Sequence, residues 1–364
     1  MGRRARPAIL AVRDLVPDPV TLRKPGYERI DMSQLSSTTR NAVLVGPLLM
    51  VLASLALAGS NIPQSLLPTP TQYGGFGMAS TGMAFWQYLI ATVFALPLIA
   101  RIGVRNLRTR HPLAHEVRAF VSALGVHVFV YGFAAGVPIW QMVTLLSTGP
   151  LFIILGSTIF LHERATATRI VAALVAFAGA IIVSGVGTDG FSATALIPVA
   201  ASALWATTDV LTKYLSREES PETLTLSLLV LITPNHLLIL LVATLTAWLV
   251  PGLLPAGVAT GFPFQLPGGA GLWVLLLLGI LTAAAQYLLA AAYKRADATY
   301  LQPFGDLKVP LSALLGWMLL NQVPSPWFWL GAALIIGASL FILYVEAGRQ
   351  RRASPTLGVS GAGA

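Results

Sequence analysis

Cysteine is absent from the 364 residues, which excludes disulfides, thiol nucleophiles and every metal site built on sulfur ligands. Charge is almost as scarce. Asp, Glu, Lys and Arg make up 10% of the chain, against roughly 25% in an ordinary soluble domain, while hydrophobic residues reach 55%. Such a balance belongs to a polytopic membrane protein. Also missing are a Walker glycine-rich loop and an HExxH pair, because His162-Glu163-Arg164 has no second histidine at the required spacing. His111, His115, His127, His162 and His236 share no ligand spacing. The sequence thus offers no cofactor site and no metal site.

What the chain does have is long apolar runs. About 20 residues cross a bilayer, and ten segments qualify: 44–67, 80–100, 117–136, 138–161, 168–186, 194–215, 223–250, 270–293, 297–320 and 326–345. The net charge of +9 has a topological meaning. Basic residues gather before the first span (Arg3 to Arg40), after the second (Arg101 to Arg118), after the fourth (Arg164, Arg169), at the end of the sixth (Lys213, Arg217), after the eighth (Lys294, Arg295) and after the tenth (Arg349 to Arg352). The alternate loops carry none. By the positive-inside rule both termini are cytoplasmic, in the plasma membrane or bacterial inner membrane, and the basic excess needs no nucleic-acid partner. Residues 1–40 contain a twin arginine without the apolar stretch of an export signal and read as a polar, disordered tail, with 349–364 as a second tail.

The two halves resemble each other. Residues 126–150 align without a gap to 286–310, so that Pro150 and Gly156 match Pro310 and Gly316, and SNIPQSLL (60–67) sits where TDVLTKYL (208–215) sits in the second half. Five spans per repeat is an odd number, so the second copy enters the membrane from the opposite side. The expected fold is all-α and polytopic, with ten transmembrane helices in two inverted five-helix repeats, 41–187 and 193–348. Such a pair places a site near the midplane and suits a carrier.

Two long stretches, LLSTGPLFIILGSTIFLHERATATRIVAALVAFAGAIIVSG (145–185) and ADATYLQPFGDLKVPLSALLGWMLL (296–320), the latter followed by WLGAALIIGASLFILYVE (329–346), resemble the drug/metabolite transporter superfamily, in particular its ten-helix EamA-type members. Pro150 and Leu161-His162-Glu163-Arg164 match that family's Pro-then-LGER-like pattern. The resemblance spans about residues 40–348 and implies a permease. Departures are Asn321-Gln322 in place of a Gly-Glu-like ending, Gln87 in place of an Arg, and Asn61 and Ser65 opposite Asp209 and Lys213.

Candidate residues follow from cost. An ionisable group at mid-membrane is unfavourable by at least about 2.5–3.5 kcal/mol and marks function by default. Asp306 and Lys308 fall near the centre of the ninth span. On a regular helix they point to different faces, and Pro303, Gly305 and Pro310, with Pro150 in the first half, mark helix breaks or gating points. Asp209 is the candidate partner of Lys308, with a helix-end pair to Lys213 as the bland reading. His127, Gln286, Gln87, Trp86, Trp205 and Tyr300 complete the substrate or ion pathway. Trp248, Trp273, Trp327 and Trp329 suit the interfacial belt, and Ala172, Ala176 and Ala180 with Ala333 and Gly337 form small-residue packing faces.

The reading is a secondary active transporter of a small organic metabolite, amino-acid-like or aromatic and amphipathic, working by alternating access with proton or ion coupling, as monomer or homodimer. The alternatives are a membrane-embedded lipid-modifying enzyme and a facilitative, channel-like permease. The first needs a convergent set of His, Asp, Glu or Ser near one interface, which these histidines do not supply.

Overall fold

A computed structural model describes residues 37–103, 108–162, 166–184, 192–259, 262–293, 295, 301 and 304–353. Tyr300, Pro303, Glu163 and the expected tails, apart from residues 37–40 and 349–353, lie outside them. Residues Leu44–Ala364 form one compact unit and Met1–Val43 another; the helix packing and the cavity belong to the larger one.

Every regular element among the described residues is helical. The helices are α1 (Ser37–Leu66), α2 (Ser80–Ile102), α3 (Pro112–Ala134), α4 (Ile139–Leu146), α5 (Gly149–Phe160), α6 (Ala167–Ser184), α7 (Leu196–Leu215), α8 (Pro221–Leu249), α9 (Ala270–Tyr293), α10 (Lys308–Leu320) and α11 (Pro326–Ala353). By length and composition, Val45–Leu66, Pro112–Ala134, Ile139–Phe160, Ala193–Leu215, Thr223–Leu249 and Ala270–Ala292 are able to cross a membrane. Shorter apolar helices cover Ile170–Ser184, Lys308–Leu320 and Pro326–Ala338. Trp248, Trp273, Trp327 and Trp329 are all exposed, as residues facing lipid at the interface must be.

Local chemistry sets several helix ends. Pro112 opens α3 and Pro221 opens α8, where a missing N–H is no loss. The Ser220 hydroxyl oxygen accepts from the Thr223 amide at 3.2 Å and caps α8. His162 and Asn321 end the fourth helical segment of each half with left-handed backbone, φ 55° and 54°.

The fourth segment of each half is broken. The break between α4 and α5 falls at Ser147–Thr148, and its counterpart ahead of α10 falls at Asp306–Leu307. Pro150 and Pro310 sit in the first turns of the helices that restart, so each proline begins a segment instead of kinking one. A break strands backbone carbonyls, which need donors where water is scarce. The Ser54 hydroxyl on α1 donates to the carbonyls of Phe304 and Gly305 at 2.8 and 3.1 Å. In the other half the Ser202 hydroxyl on α7 donates to the Leu146 carbonyl at 2.8 Å. Ser54 lies six residues before Ser60 and Ser202 six before Thr208, so the internal alignment pairs them.

The supporting helices α6 and α11 pack closely, with Ala172, Ala176 and Ala338 in one cluster. A methyl group added at Gly179 would lie 2.7 Å from the Gly331 carbonyl. The face of α11 that meets α6 is therefore Gly331, Ile335 and Ala338; Ala333 is exposed, and open space surrounds Gly337. The expected pairing of Ala333 and Gly337 misses by one or two positions, and each position turns a helix by about 100°.

Candidate functional site

A cavity of about 650 Å³ opens among the helices, within the range of about 300–1,000 Å³ usual for small-molecule sites. Its wall takes Asn61 and Gln64 from α1, Gln87 and Tyr88 from α2, Phe129 from α3, Pro150 from α5, Trp205 and Asp209 from α7, and Thr282 and Gln286 from α9. Asp306 and Lys308, at the second break, and Lys213 complete it. Of the residues singled out by sequence, Asp306, Lys308, Asp209, Gln87, Gln286, Trp205 and Pro150 come together here. The turn at Asp306–Leu307 explains how Asp306 and Lys308 share one cavity, since the regular-helix spacing that would separate them is interrupted there.

Other candidates lie elsewhere. His127 is buried against His236, with its Nε2 3.0 Å from His236 Nδ1. His236 in turn stacks on Tyr88 at 4.3 Å between ring centroids, so the histidine pair stands behind a cavity wall. Trp86 packs beside the cluster of Leu67, Met78 and Leu275. Gly305 meets α1 at Ser54 and Met50.

Trp205 is fixed from three sides. Its indole N–H donates to the Ser122 carbonyl at 3.2 Å, its ring lies 5.4 Å from Phe129, and it rests against Gly125, where a Cβ would come within 2.8 Å of the indole nitrogen. Phe129, Trp205 and Tyr88 give the cavity aromatic surface able to hold a flat ring.

Two of the carboxamides on the wall, Gln87 and Asn61, are held in one orientation by hydroxyl relays. Gln87 Nε2 donates to Thr282 Oγ1 at 2.9 Å, and that hydroxyl donates to the Leu278 carbonyl at 2.8 Å. Asn61 Nδ2 donates to Ser312 Oγ at 2.9 Å, and that hydroxyl donates to the Lys308 carbonyl. Thr282 and Ser312, having spent their only protons, can offer these amides an acceptor and nothing else. Gln64, Thr282 and Ser312 escaped the sequence reading. Neutral polar residues carry little insertion cost and leave no signal as strong as a mid-membrane charge.

A second polar cluster joins the loop before α3 to the turn between α7 and α8. Arg118, buried at 2% exposure, donates to Thr212 Oγ1, the Leu224 carbonyl and Ser227 Oγ. His115 Nδ1 lies 2.7 Å from Ser227 Oγ. Glu219 accepts from Thr109 Oγ1 at 2.5 Å and from the Arg110 amide at 3.1 Å. The Thr109 bond is the main reason its carboxyl sits below the ordinary value of 4.5. Arg118 counted as one more topology-setting charge in the sequence, yet it is an internal anchor.

Comparison with known proteins adds independent evidence. The pattern of the EamA-like transporter family matches twice, over residues 44–185 and 193–344. A riboflavin transporter of Rhizobium johnstonii is 42% identical over 325 residues, 88% of this chain and 99% of its own. One from Brucella anthropi is 40% identical over 305 residues, 84% of this chain and 100% of its own. An S-adenosylmethionine uptake transporter of Rickettsia bellii is 26% identical over 276 residues, 76% of this chain and 88% of its own. With two helical repeats, a polar and aromatic cavity and full-length likeness to carriers, this chain belongs to the EamA-like transporter family and is a multi-pass membrane transporter of small molecules, not an enzyme.

Proposed function

We propose that the transported solute is riboflavin and that it crosses by alternating access between two inverted halves. The observation that carries the reading is the composition of the cavity wall. It pairs ring-holding aromatics, Trp205, Phe129 and Tyr88, with carboxamides and hydroxyls at Asn61, Gln64, Gln87, Thr282 and Gln286. Riboflavin has the same two parts, a flat three-ring system and a polyhydroxylated chain. The riboflavin transporters that share about two-fifths of their residues with this chain support the choice.

Charge narrows the solute further. Asp209 and Asp306 face Lys213 and Lys308 on the same wall, so the formal charges cancel and no net attraction awaits a phosphate. The reading therefore favours a neutral flavin over its phosphorylated forms, and leaves the acids and ammoniums for ion coupling or gating. It spans the bilayer ten times, through the ten apolar segments, with both termini cytoplasmic; the one-sided distribution of Lys and Arg supports that orientation.

The experiment is uptake in proteoliposomes and in a riboflavin-auxotrophic bacterium expressing the chain. Saturable riboflavin uptake and counterflow are expected, with flavin mononucleotide a poor competitor. Equal transport of both flavins would remove the charge argument, and no riboflavin movement in either system would end the substrate assignment.

A further inference from the structure

We infer that Gln87 and Asn61 form a subsite of fixed hydrogen-bond acceptors that takes the hydroxyl chain of the solute, while its ring lies elsewhere in the cavity. This rests on the riboflavin reading above and extends it to particular atoms.

The relays define the polarity. An isolated glutamine or asparagine can turn over and present either its oxygen or its nitrogen. Gln87 cannot do so freely, because Thr282 already donates to the Leu278 carbonyl and accepts only an N–H. Asn61 is held the same way by Ser312, whose hydroxyl is committed to the Lys308 carbonyl. Both residues are buried side chains of the cavity wall, Gln87 at 3% exposure and Asn61 at 7%. In both, the relay occupies one N–H of the amide and fixes the position of the carbonyl oxygen, which can act only as an acceptor.

Gln87 Oε1 is buried and has no partner among the described residues, and the same holds for Gln64 Oε1 on the same wall. A buried acceptor without a donor is unfavourable and calls for an explanation. A donor arriving with the solute supplies one.

The acceptor pattern selects one part of the solute. The imide edge of a flavin ring offers two carbonyls flanking one N–H, so a wall of carbonyl oxygens would oppose like with like at two of three positions. Every hydroxyl of a ribityl chain can donate. Hydroxyls also accept from one another, so a chain of them satisfies several fixed acceptors together. The aromatic residues Trp205 and Phe129, whose rings lie tilted to each other at 5.4 Å, remain available to the ring.

The test uses purified full-length protein in proteoliposomes, with labelled riboflavin uptake and two unlabelled competitors, riboflavin and lumiflavin. Lumiflavin keeps the ring and replaces the chain by a methyl group. On the unaltered protein lumiflavin is expected to compete at least about a hundredfold more weakly, because a site built to bond hydroxyls rejects an analogue lacking them. Gln87→Leu is expected to weaken riboflavin by about tenfold or more while leaving lumiflavin's competition unchanged, which also reports an intact cavity. Thr282→Val should act in the same direction by releasing the amide, and Thr282→Ser should restore discrimination. Equal competition by the two flavins on the unaltered protein, which needs no variant to fold, overturns the subsite. So does a Gln87→Leu protein that loses both competitors equally. Absence of riboflavin uptake by the unaltered protein is a different result: it overturns the substrate assignment, and the subsite with it.

Discussion

Asp209 on α7 and Lys308 at the start of α10 line the same cavity and act on each other through their charges. The first half has neutral residues at the aligned places, Asn61 for Asp209 and Thr148 for Lys308. Asn61 nevertheless reaches the same backbone, since Ser312 links it to the Lys308 carbonyl. One side of the cavity is thus charged and the other carries neutral amides.

If that charge pair works in transport, Lys308→Met and Asp209→Asn each reduce riboflavin uptake by about tenfold or more, since 1.4 kcal/mol already corresponds to tenfold. Interchanging the two charges in one protein should recover part of the loss, as expected for coupled neighbours. Counterflow in proteoliposomes measures this, and unchanged uptake in both single variants would remove the pair from the mechanism.

Glu219 makes a prediction about acid. Its folded carboxyl titrates below the ordinary 4.5, chiefly through the Thr109 bond. The unfolded chain binds that proton more readily, so the tie stabilises the fold above about pH 4.5 and is lost as pH falls through the lower folded value. Melting of detergent-solubilised protein should show the unaltered chain ahead of Glu219→Gln at pH 7, with the gap shrinking as pH falls below 4.5. A gap that persists at the acidic end would contradict this role.

The packing of α6 against α11 distinguishes two glycines on one helix. Alanine in place of glycine inside a helix ordinarily stabilises by roughly 0.5–1 kcal/mol. At Gly337 there is room, and Gly337→Ala should follow that rule. At Gly331 an added methyl would lie 2.7 Å from the Gly179 carbonyl, so Gly331→Ala should destabilise by about 1–3 kcal/mol. Thermal melts of the two variants should move in opposite directions.

His162 holds a left-handed backbone angle, φ 55°, where the family's pattern has glycine. A non-glycine residue there costs about 1–2 kcal/mol, against glycine's extra chain entropy of roughly 0.5–1 kcal/mol. His162→Gly should therefore stabilise by about 0.5–1 kcal/mol. Its exposed ring contact to the Ile159 carbonyl gives back little in water. A lower melting temperature in this variant would show that the contact outweighs the strain.

Much of this was legible from pattern alone because the bilayer is an unforgiving solvent. Long apolar runs announce helices, and Asp306, Lys308 and Asp209 stand out because a charge in such a run is expensive. Pro150 and Pro310 stand two and three residues beyond the turns at Ser147–Thr148 and Asp306–Leu307. The neutral wall was harder to see. Gln64, Thr282 and Ser312 resemble any polar residue in a span, and their meaning depends on which hydroxyl has already spent its proton, a property of three-dimensional contact. Asn321-Gln322 looked like a loss of the family's acidic ending. In the structure Asn321 takes the left-handed turn, and Gln322 Oε1 accepts from the Ile139 amide at 2.8 Å, so an amide oxygen meets the start of α4 without a charge. The α11 packing face was misjudged because a small residue marks a possible contact and only the helix's rotation decides which one is made.

The two serine bonds at the helix breaks bear on how such a carrier avoids leaking. Ser54 comes from the first half and holds the break of the second; Ser202 comes from the second and holds the break of the first. Each break also keeps short-range ties of its own, such as the Thr148 hydroxyl donating to the Leu145 carbonyl, but its long-range serine bond comes from the other repeat. If the halves rotate against each other as proposed, the movement loads both breaks together, and a shift that loosens one end of the molecule is felt at the other. Under that proposal the two openings would behave as a single lever, and a lever has no position in which both ends are raised.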